Sequence, residues 1–312
     1  MNKLIVILGP TASGKTELAI KLAKKFNGEI VCADSRQIYA GMTIGTASHR
    51  ADLSKKYLGL PYVAHHLFNF REPNKPLNVA TYKKMAEKTI KDIQKRGKIP
   101  FLVGGTAFYI YSVVEGWQFP KSKANPALRK QLESRSPAEL FKILQKLDKA
   151  RAKNIDKNNK RRLIRAIEIA RELGKVPLIT KKPQFDCLVL GINPNKEELK
   201  KRIENRTKKM IELGLEKEVG RLIKKYGWTA VLQNTIGYSE WQKFWKLPSK
   251  LQKGACSATS APIPAISLHT VQFAKRQITW FKRDKRIRWV KNHQQAANLT
   301  KKFTETGFLQ TL

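Results

Sequence analysis

The stretch Gly9-Pro10-Thr11-Ala12-Ser13-Gly14-Lys15-Thr16 restricts this chain more than any other. It follows a short apolar run, Leu4 to Leu8, and precedes a helical pattern with Leu18, Leu22 and Phe26 on one face. Strand, glycine-rich loop and helix are the context that the G-x-x-x-x-G-K-[ST] phosphate loop requires. Its glycines let the backbone wrap an anion, and amides at the helix N-terminus point at it. Lys15 adds a mobile positive charge, and the Thr16 hydroxyl is placed to hold a phosphate-bound Mg²⁺. The chain is expected to grip a di- or triphosphate. The loop alone does not say which chemistry follows.

Two more short apolar runs end in polar or glycine-rich clusters. Glu29 to Ala33 leads into Asp34-Ser35-Arg36-Gln37-Ile38-Tyr39, and Ile99 to Val103 leads into Gly104-Gly105-Thr106. In α/β proteins the carboxyl ends of strands carry function. Asp34 is therefore a candidate general base or holder of metal-bound water; the plainer reading is an Asx turn or helix cap. Residues 41–78 read as irregular. The pair His65-His66 lies there, but no third ligand is spaced for zinc, so a structural or substrate-contact role is expected. Helical periodicity covers Val79 to Arg96, and Thr106 opens a helix to Val114.

From about Pro120 to residue 183 the pattern is helical with no strand. Asn125-Pro126 and Ser136-Pro137-Ala138-Glu139 are helix starts, the second a capping box. A helix from about Asn159 to Leu173 has a basic edge. Cys187 to Ile192 returns to the sheet. A basic helix from Lys196 to Leu213 places Arg202, Arg206 and Met210 on one face. Leu215 to Tyr226 is another helix, and Asn234 to Tyr238 a turn. Gly254 to Gln272 carries no charge, and Pro262 and Pro264 make helix unexpected in its first half. From Phe273, basic and aromatic residues interleave on one helix, and Ile287 to Val290 reads as an edge strand. The fold class expected is α/β: a P-loop NTPase-like parallel sheet flanked by helices (1–119 and 184–312) with an all-helical insertion domain (120–183).

The 312 residues carry a formal net charge of +38, which favours polyanions, nucleic acid first among them. The bland alternative is solvated lysine decoration. Three distant cysteines suggest a reducing compartment. No run is long enough to span a membrane, and a strand beginning within three residues leaves no room for a signal peptide. A cytoplasmic location is expected.

In order along nearly the whole chain, the motifs resemble the bacterial tRNA dimethylallyltransferase family. The matching residues are Gly9 to Thr16, Asp34-Ser35 with Ile38-Tyr39, Gly45-Thr46-Ala47, Val103 to Thr106, Arg162-Leu163 with Arg165-Ala166-Ile167-Glu168, Arg202 with Arg206 and Met210, Gly214 with Glu218-Val219, Gly237-Tyr238, and Ala274 to Trp280. The chain departs from the family pattern at Ala107-Phe108, at Asp156 to Arg161, and over Gly254 to Gln272.

The resemblance implies transfer of a dimethylallyl group from dimethylallyl diphosphate to N6 of adenosine 37 in the tRNA anticodon loop, with Mg²⁺. It implies Asp34 as the base, with Thr11 near the reacting centre and Arg206 on the departing diphosphate. It also implies tRNA contacts at Asp34, Ser35, Arg36, Gln37, Thr106, Arg129, Arg161, Arg162, Leu163, Ile164 and Arg165, at Asn234, Thr235, Ile236, Gly237, Tyr238 and Ser239, and at Lys275, Arg276, Gln277, Ile278, Thr279, Trp280, Phe281 and Lys282. A monomer that binds no membrane is expected. The competing readings are a small-molecule kinase, a nucleic-acid-stimulated NTPase, and an isopentenyltransferase acting on free adenine nucleotide. The basic insert and the aromatic–basic helix are surplus to the first and the last.

Overall fold

The computed structural model describes residues 2–48, 63–245 and 262–306. The chain begins with β1 (Asn2–Leu8), α1 (Lys15–Lys25), β2 (Gly28–Cys32), β3 (His65–His66), α2 (Val79–Lys95), β4 (Ile99–Gly104) and α3 (Ala107–Val114). Next come β5 (Trp117–Gln118), α4 (Pro126–Glu133), α5 (Pro137–Leu147), α6 (Lys149–Lys153), α7 (Lys160–Leu173) and β6 (Thr180–Lys181). It closes with β7 (Phe185–Gly191), α8 (Lys196–Glu212), α9 (Leu215–Tyr226), α10 (Ala230–Gln233), α11 (Ser239–Phe244), α12 (Ile263–Phe281), β8 (Arg288–Trp289) and α13 (His293–Glu305). No helix among the described residues is long and apolar enough to cross a membrane.

β1 is apolar from Leu4 to Leu8, where both its faces are covered, and all five residues are fully buried. It lies inside a parallel sheet of order β3-β2-β4-β1-β7-β8. On one side α1 packs Leu18, Ala19, Leu22 and Ala23 against Ile5, Ile7 and Phe101, with Ala296 and Ala297 of α13 alongside. The register then sets the site. Leu8 pairs with both Gly104 and Gly191, and Cys32 pairs with Val103. The strands β1, β2, β4 and β7 thus end within about a residue of one common edge. The loops after β1, β2 and β4 leave from it side by side.

The opposite edge is closed by charge. Glu29 of β2 is buried and is met by Arg96 at 2.5 and 2.8 Å, Lys98 at 2.8 Å and His66 at 2.7 Å. The hydrogen bonds from Arg96 above all, with those from Lys98 and His66, hold its carboxyl far below the usual carboxylate range. His66 serves this structural cluster, and no group of three metal-ligating side chains occurs among the described residues. The stretch expected to be irregular does contain β3, a two-residue strand pairing Ile30 with His65.

Gly116–Lys182 form a compact unit of their own. Its core joins Leu132, Leu140, Leu144, Leu163 and Ile167. The capping box of Ser136 and Glu139 is present, and Asn159 caps α7. The strand-free reading of 120–183 needs correction: Thr180–Lys181 pairs antiparallel with Trp117–Gln118. This two-residue ribbon ties the start of the unit to its end. Gly254 to residue 261, with Cys256, lies outside the described residues. Pro264 falls in the first turn of α12, where a missing N–H costs nothing.

Candidate active site

The loop after β1 wraps a space at the sheet's carboxyl edge. Ala12 adopts a left-handed backbone with φ 61°, unusual for a residue with a side chain and the kind of strain kept where function needs it. Ser13 is buried, and among the described residues its Oγ has no hydrogen-bond partner. Lys15 is half-buried, with its ammonium enclosed by protein and donating to the Pro10 carbonyl at 2.6 Å. Burial pushes its pKa down to about 8; nearby Asp34 opposes that shift and Arg206 adds to it. An enclosed cation and an unpartnered hydroxyl where the loop runs into the N-terminus of α1 make a cradle for a multivalent anion.

Arg206 completes the cradle from α8. It donates from Nη1 to Thr11 Oγ1 at 2.8 Å. Arg202, one turn earlier, pairs with Glu198 at 2.5 Å and lines the same space. Asp34 stands across from the loop. Its Oδ1 accepts from the Arg36 amide at 2.9 Å, so the Asx turn is real, and the carboxylate still lines the cavity. Next to it, Thr106 Oγ1 accepts from the Ser35 amide at 3.0 Å, and Gln37 donates to the Thr46 carbonyl at 3.0 Å. The cavity measures about 700 Å³, the size of a small-molecule site. Thr11 to Thr16, Asp34 to Gln37, Arg206, Asn234 to Ile236 and Arg276 all line it.

Sequence reasoning assigned no role to Glu218, the residue that holds the far wall. It is buried in the first turn of α9. Its carboxylate accepts from Thr43 N and Oγ1 (3.0 and 2.6 Å), Ile44 N (2.9 Å), Gly45 N (3.1 Å) and Tyr238 Oη (2.7 Å). Burial and this carboxylate hold the Tyr238 phenol well above its usual range. Gly45 is required here because a Cβ would lie 2.5 Å from the Tyr238 ring. Glu218→Gln turns an amide towards buried N–H donors. It should cost about 2–3 kcal/mol, lowering the thermal midpoint by roughly 4–12 °C. An unchanged midpoint in a calorimetric scan would show that the carboxylate is dispensable.

The other expected contacts divide. Lys275, Arg276, Thr279, Trp280 and Lys282 are exposed on or just after α12, and Arg161 and Arg162 are exposed on α7. Leu163, Ile164, Tyr238, Gln277 and Phe281 are buried, so the side chains of these five expected contact residues pack in the interior. Arg129 grips the buried Glu168 with two hydrogen bonds (2.8 and 2.7 Å), and Arg165 reaches Glu168 and the Ser122 carbonyl. Both arginines thereby neutralise an interior carboxylate of the Gly116–Lys182 unit.

Known proteins resemble the chain along its length. The family model of IPP transferase matches residues 37–284, and that of isopentenyl transferase matches residues 2–58. A tRNA dimethylallyltransferase of Carboxydothermus hydrogenoformans is 39% identical over 98% of this chain and 98% of its own. Its counterpart from Anoxybacillus flavithermus is 37% identical over 92% of this chain and 90% of its own. Among solved structures, the full-length tRNA isopentenylpyrophosphate transferase of Bacillus halodurans superposes with a TM-score of 0.69 at 31% identity, covering 100% of both chains. A eukaryotic dimethylallyltransferase seen in crystallographic snapshots acting on tRNA gives 0.71 at 28% identity, over 90% of this chain and 70% of that one.

Proposed function

The chain belongs to the IPP transferase family, as a prenyltransferase acting on tRNA, and from that premise we propose the finer reaction. It moves a dimethylallyl group from dimethylallyl diphosphate to N6 of adenosine 37 in the anticodon loop. The N6–carbon bond forms as the carbon–oxygen bond to diphosphate breaks. The N6 proton passes to the Asp34 carboxylate, and diphosphate leaves into the cradle of Lys15, Thr11 and Arg206. The observation that carries this reading is the meeting of an anion cradle and a carboxylate in one cavity. Adenine N6 is a poor nucleophile because its lone pair is delocalised. It becomes acidic as it gains positive charge, so a weak, well-placed base suffices. The adenine must leave its stack to enter such a cavity.

Mg²⁺ fits the donor set in one mode. Without a cluster of three metal-ligating side chains among the described residues, the ion would be held chiefly by diphosphate oxygens and water, with the Thr16 hydroxyl. Bound there, it would neutralise charge building on the leaving group. We place the enzyme in the cytoplasm with its tRNA, acting as a monomer.

The test is to incubate the protein with unmodified tRNA and dimethylallyl diphosphate. A dimethylallyl mass gain on adenosine is expected; ATP hydrolysis or phosphoryl transfer instead would favour the kinase or NTPase reading. Affinity for tRNA should fall log-linearly with salt, because phosphate contacts release counterions. Arg161→Glu with Arg162→Glu should flatten that slope by about one for each phosphate that is no longer neutralised. Arg129 and Arg165 are poor choices here, since reversing them strands Glu168. A slope unchanged by the double reversal would remove α7 from the RNA surface.

A further inference from the structure

The side chain of Gln277 faces away from the exposed surface of its helix. Along α12, Ala274, Gln277 and Phe281 are buried, while Lys275, Arg276, Thr279 and Trp280 are exposed. Gln277 Oε1 accepts from the Thr11 amide at 2.9 Å, and Nε2 donates to the Gly105 carbonyl at 2.8 Å. An amide N–H only donates and a carbonyl only accepts, so these partners fix the orientation of the glutamine. The fit is close: a Cβ on Gly105 would lie 2.3 Å from Nε2.

One glutamine thus joins the phosphate loop to the loop after β4. Thr11 is also the residue that Arg206 holds. Ala274 packs in one cluster with Leu199 and Ile203 of α8, the helix that carries Arg206, and Ala12 of the phosphate loop packs against it. Both arms of the diphosphate cradle therefore rest on the inner face of α12. The outer face carries cations and an aromatic ring suited to RNA.

We propose that Gln277 is a positioning residue that couples tRNA on α12 to the diphosphate cradle through Thr11. The proposal rests on the transferase reading above. tRNA that steadies α12 also steadies the Thr11 amide and the loop that Arg206 grips. Diphosphate then binds more tightly when tRNA is present, and by linkage the reverse holds equally.

The test measures binding of inorganic pyrophosphate by calorimetry, with and without saturating unmodified tRNA, in wild type, Gln277→Leu and Gln277→Glu. The first variant keeps the bulk and loses both bonds. The second still accepts from Thr11 but sets an oxygen against the Gly105 carbonyl, so the test survives if the first fails to fold. In wild type, tRNA should tighten pyrophosphate by about fivefold or more. In both variants that ratio should fall to near one. Their tRNA affinity should stay within about threefold, and the rate at saturation should drop roughly tenfold, as expected for two lost hydrogen bonds. A merely structural role would lower stability without moving the ratio. A ratio of one in wild type, a wild-type ratio in the variants, or loss of tRNA affinity alone would each overturn the proposal. A prenylation assay on the same wild-type sample separates the two questions. Prenylation without coupling removes only this inference, and absence of prenylation removes the transferase reading.

Discussion

Lys15→Ala and Arg206→Ala should each lower the single-turnover rate by about 10²–10³-fold, the usual cost of removing one group aimed at developing negative charge. tRNA affinity should hardly change, because neither residue lies on the outer face of α12 or on α7. The two variants should differ in how they fail. Lys15 acts as a point charge enclosed by the loop. Arg206 also holds Thr11 Oγ1, so its loss should raise the KM for dimethylallyl diphosphate as well. Lys15 adds a pH signature. Burial pushes its pKa down to about 8, so the free enzyme loses that charge as pH rises through 8. Diphosphate stabilises the charged form, so binding takes up a proton in this range. Pyrophosphate affinity should therefore fall as pH climbs through about 8 in wild type, and lose that dependence in Lys15→Ala. Collapse of tRNA binding with an intact bound-state rate would be the opposite result and would end the assignment.

The location of this site was legible because its signals are local. Short apolar runs ending in Gly9, Asp34 and Gly104-Gly105 are what buried parallel strands opening on one edge look like. What stayed hidden depends on helix phase and on distant partners. Lys275-Arg276-Gln277 reads as three polar residues in a row. Any helix through this stretch puts position 277 on a face with Ala274 and Phe281, but which face packs inward depends on distant partners; Ala274, Gln277 and Phe281 are the buried ones. The two prolines speak only against helix in the first half of Gly254 to Gln272; α12 begins at the midpoint of that stretch, and Pro264 occupies the one turn that tolerates it. Arg129 and Arg165 look the same in sequence whether they face phosphate or a buried Glu168. The hint was Glu168 itself, a charged residue in a helix phase otherwise held by Leu163, Ile164 and Ile167. The strands Thr180–Lys181 and His65–His66 are too short to show any periodicity.

Asp34→Asn isolates the proton-accepting role of this residue better than most substitutions could. The bond that shapes its turn runs from the Arg36 amide to Oδ1, and asparagine keeps an oxygen there. The Asx turn should survive, while the charge and the capacity to take a proton are lost. The single-turnover rate should drop roughly 10²–10⁴-fold, the range for a lost general base, with tRNA and dimethylallyl diphosphate bound within a few-fold of wild type. One side effect follows from the geometry. Asp34 supports the charged form of Lys15, so without it the Lys15 pKa falls further and the decline in pyrophosphate affinity should begin at lower pH. Rates compared at pH 6.5 to 7, with diphosphate bound, keep Lys15 charged and leave the base as the difference. The rival role is to order water around Mg²⁺. In that case the variant should need more Mg²⁺, and excess metal should restore most of the rate. If Asp34 is the base, the deficit persists at any Mg²⁺ concentration. A variant with near-normal single-turnover chemistry at saturating tRNA would show that the proton leaves N6 by another route.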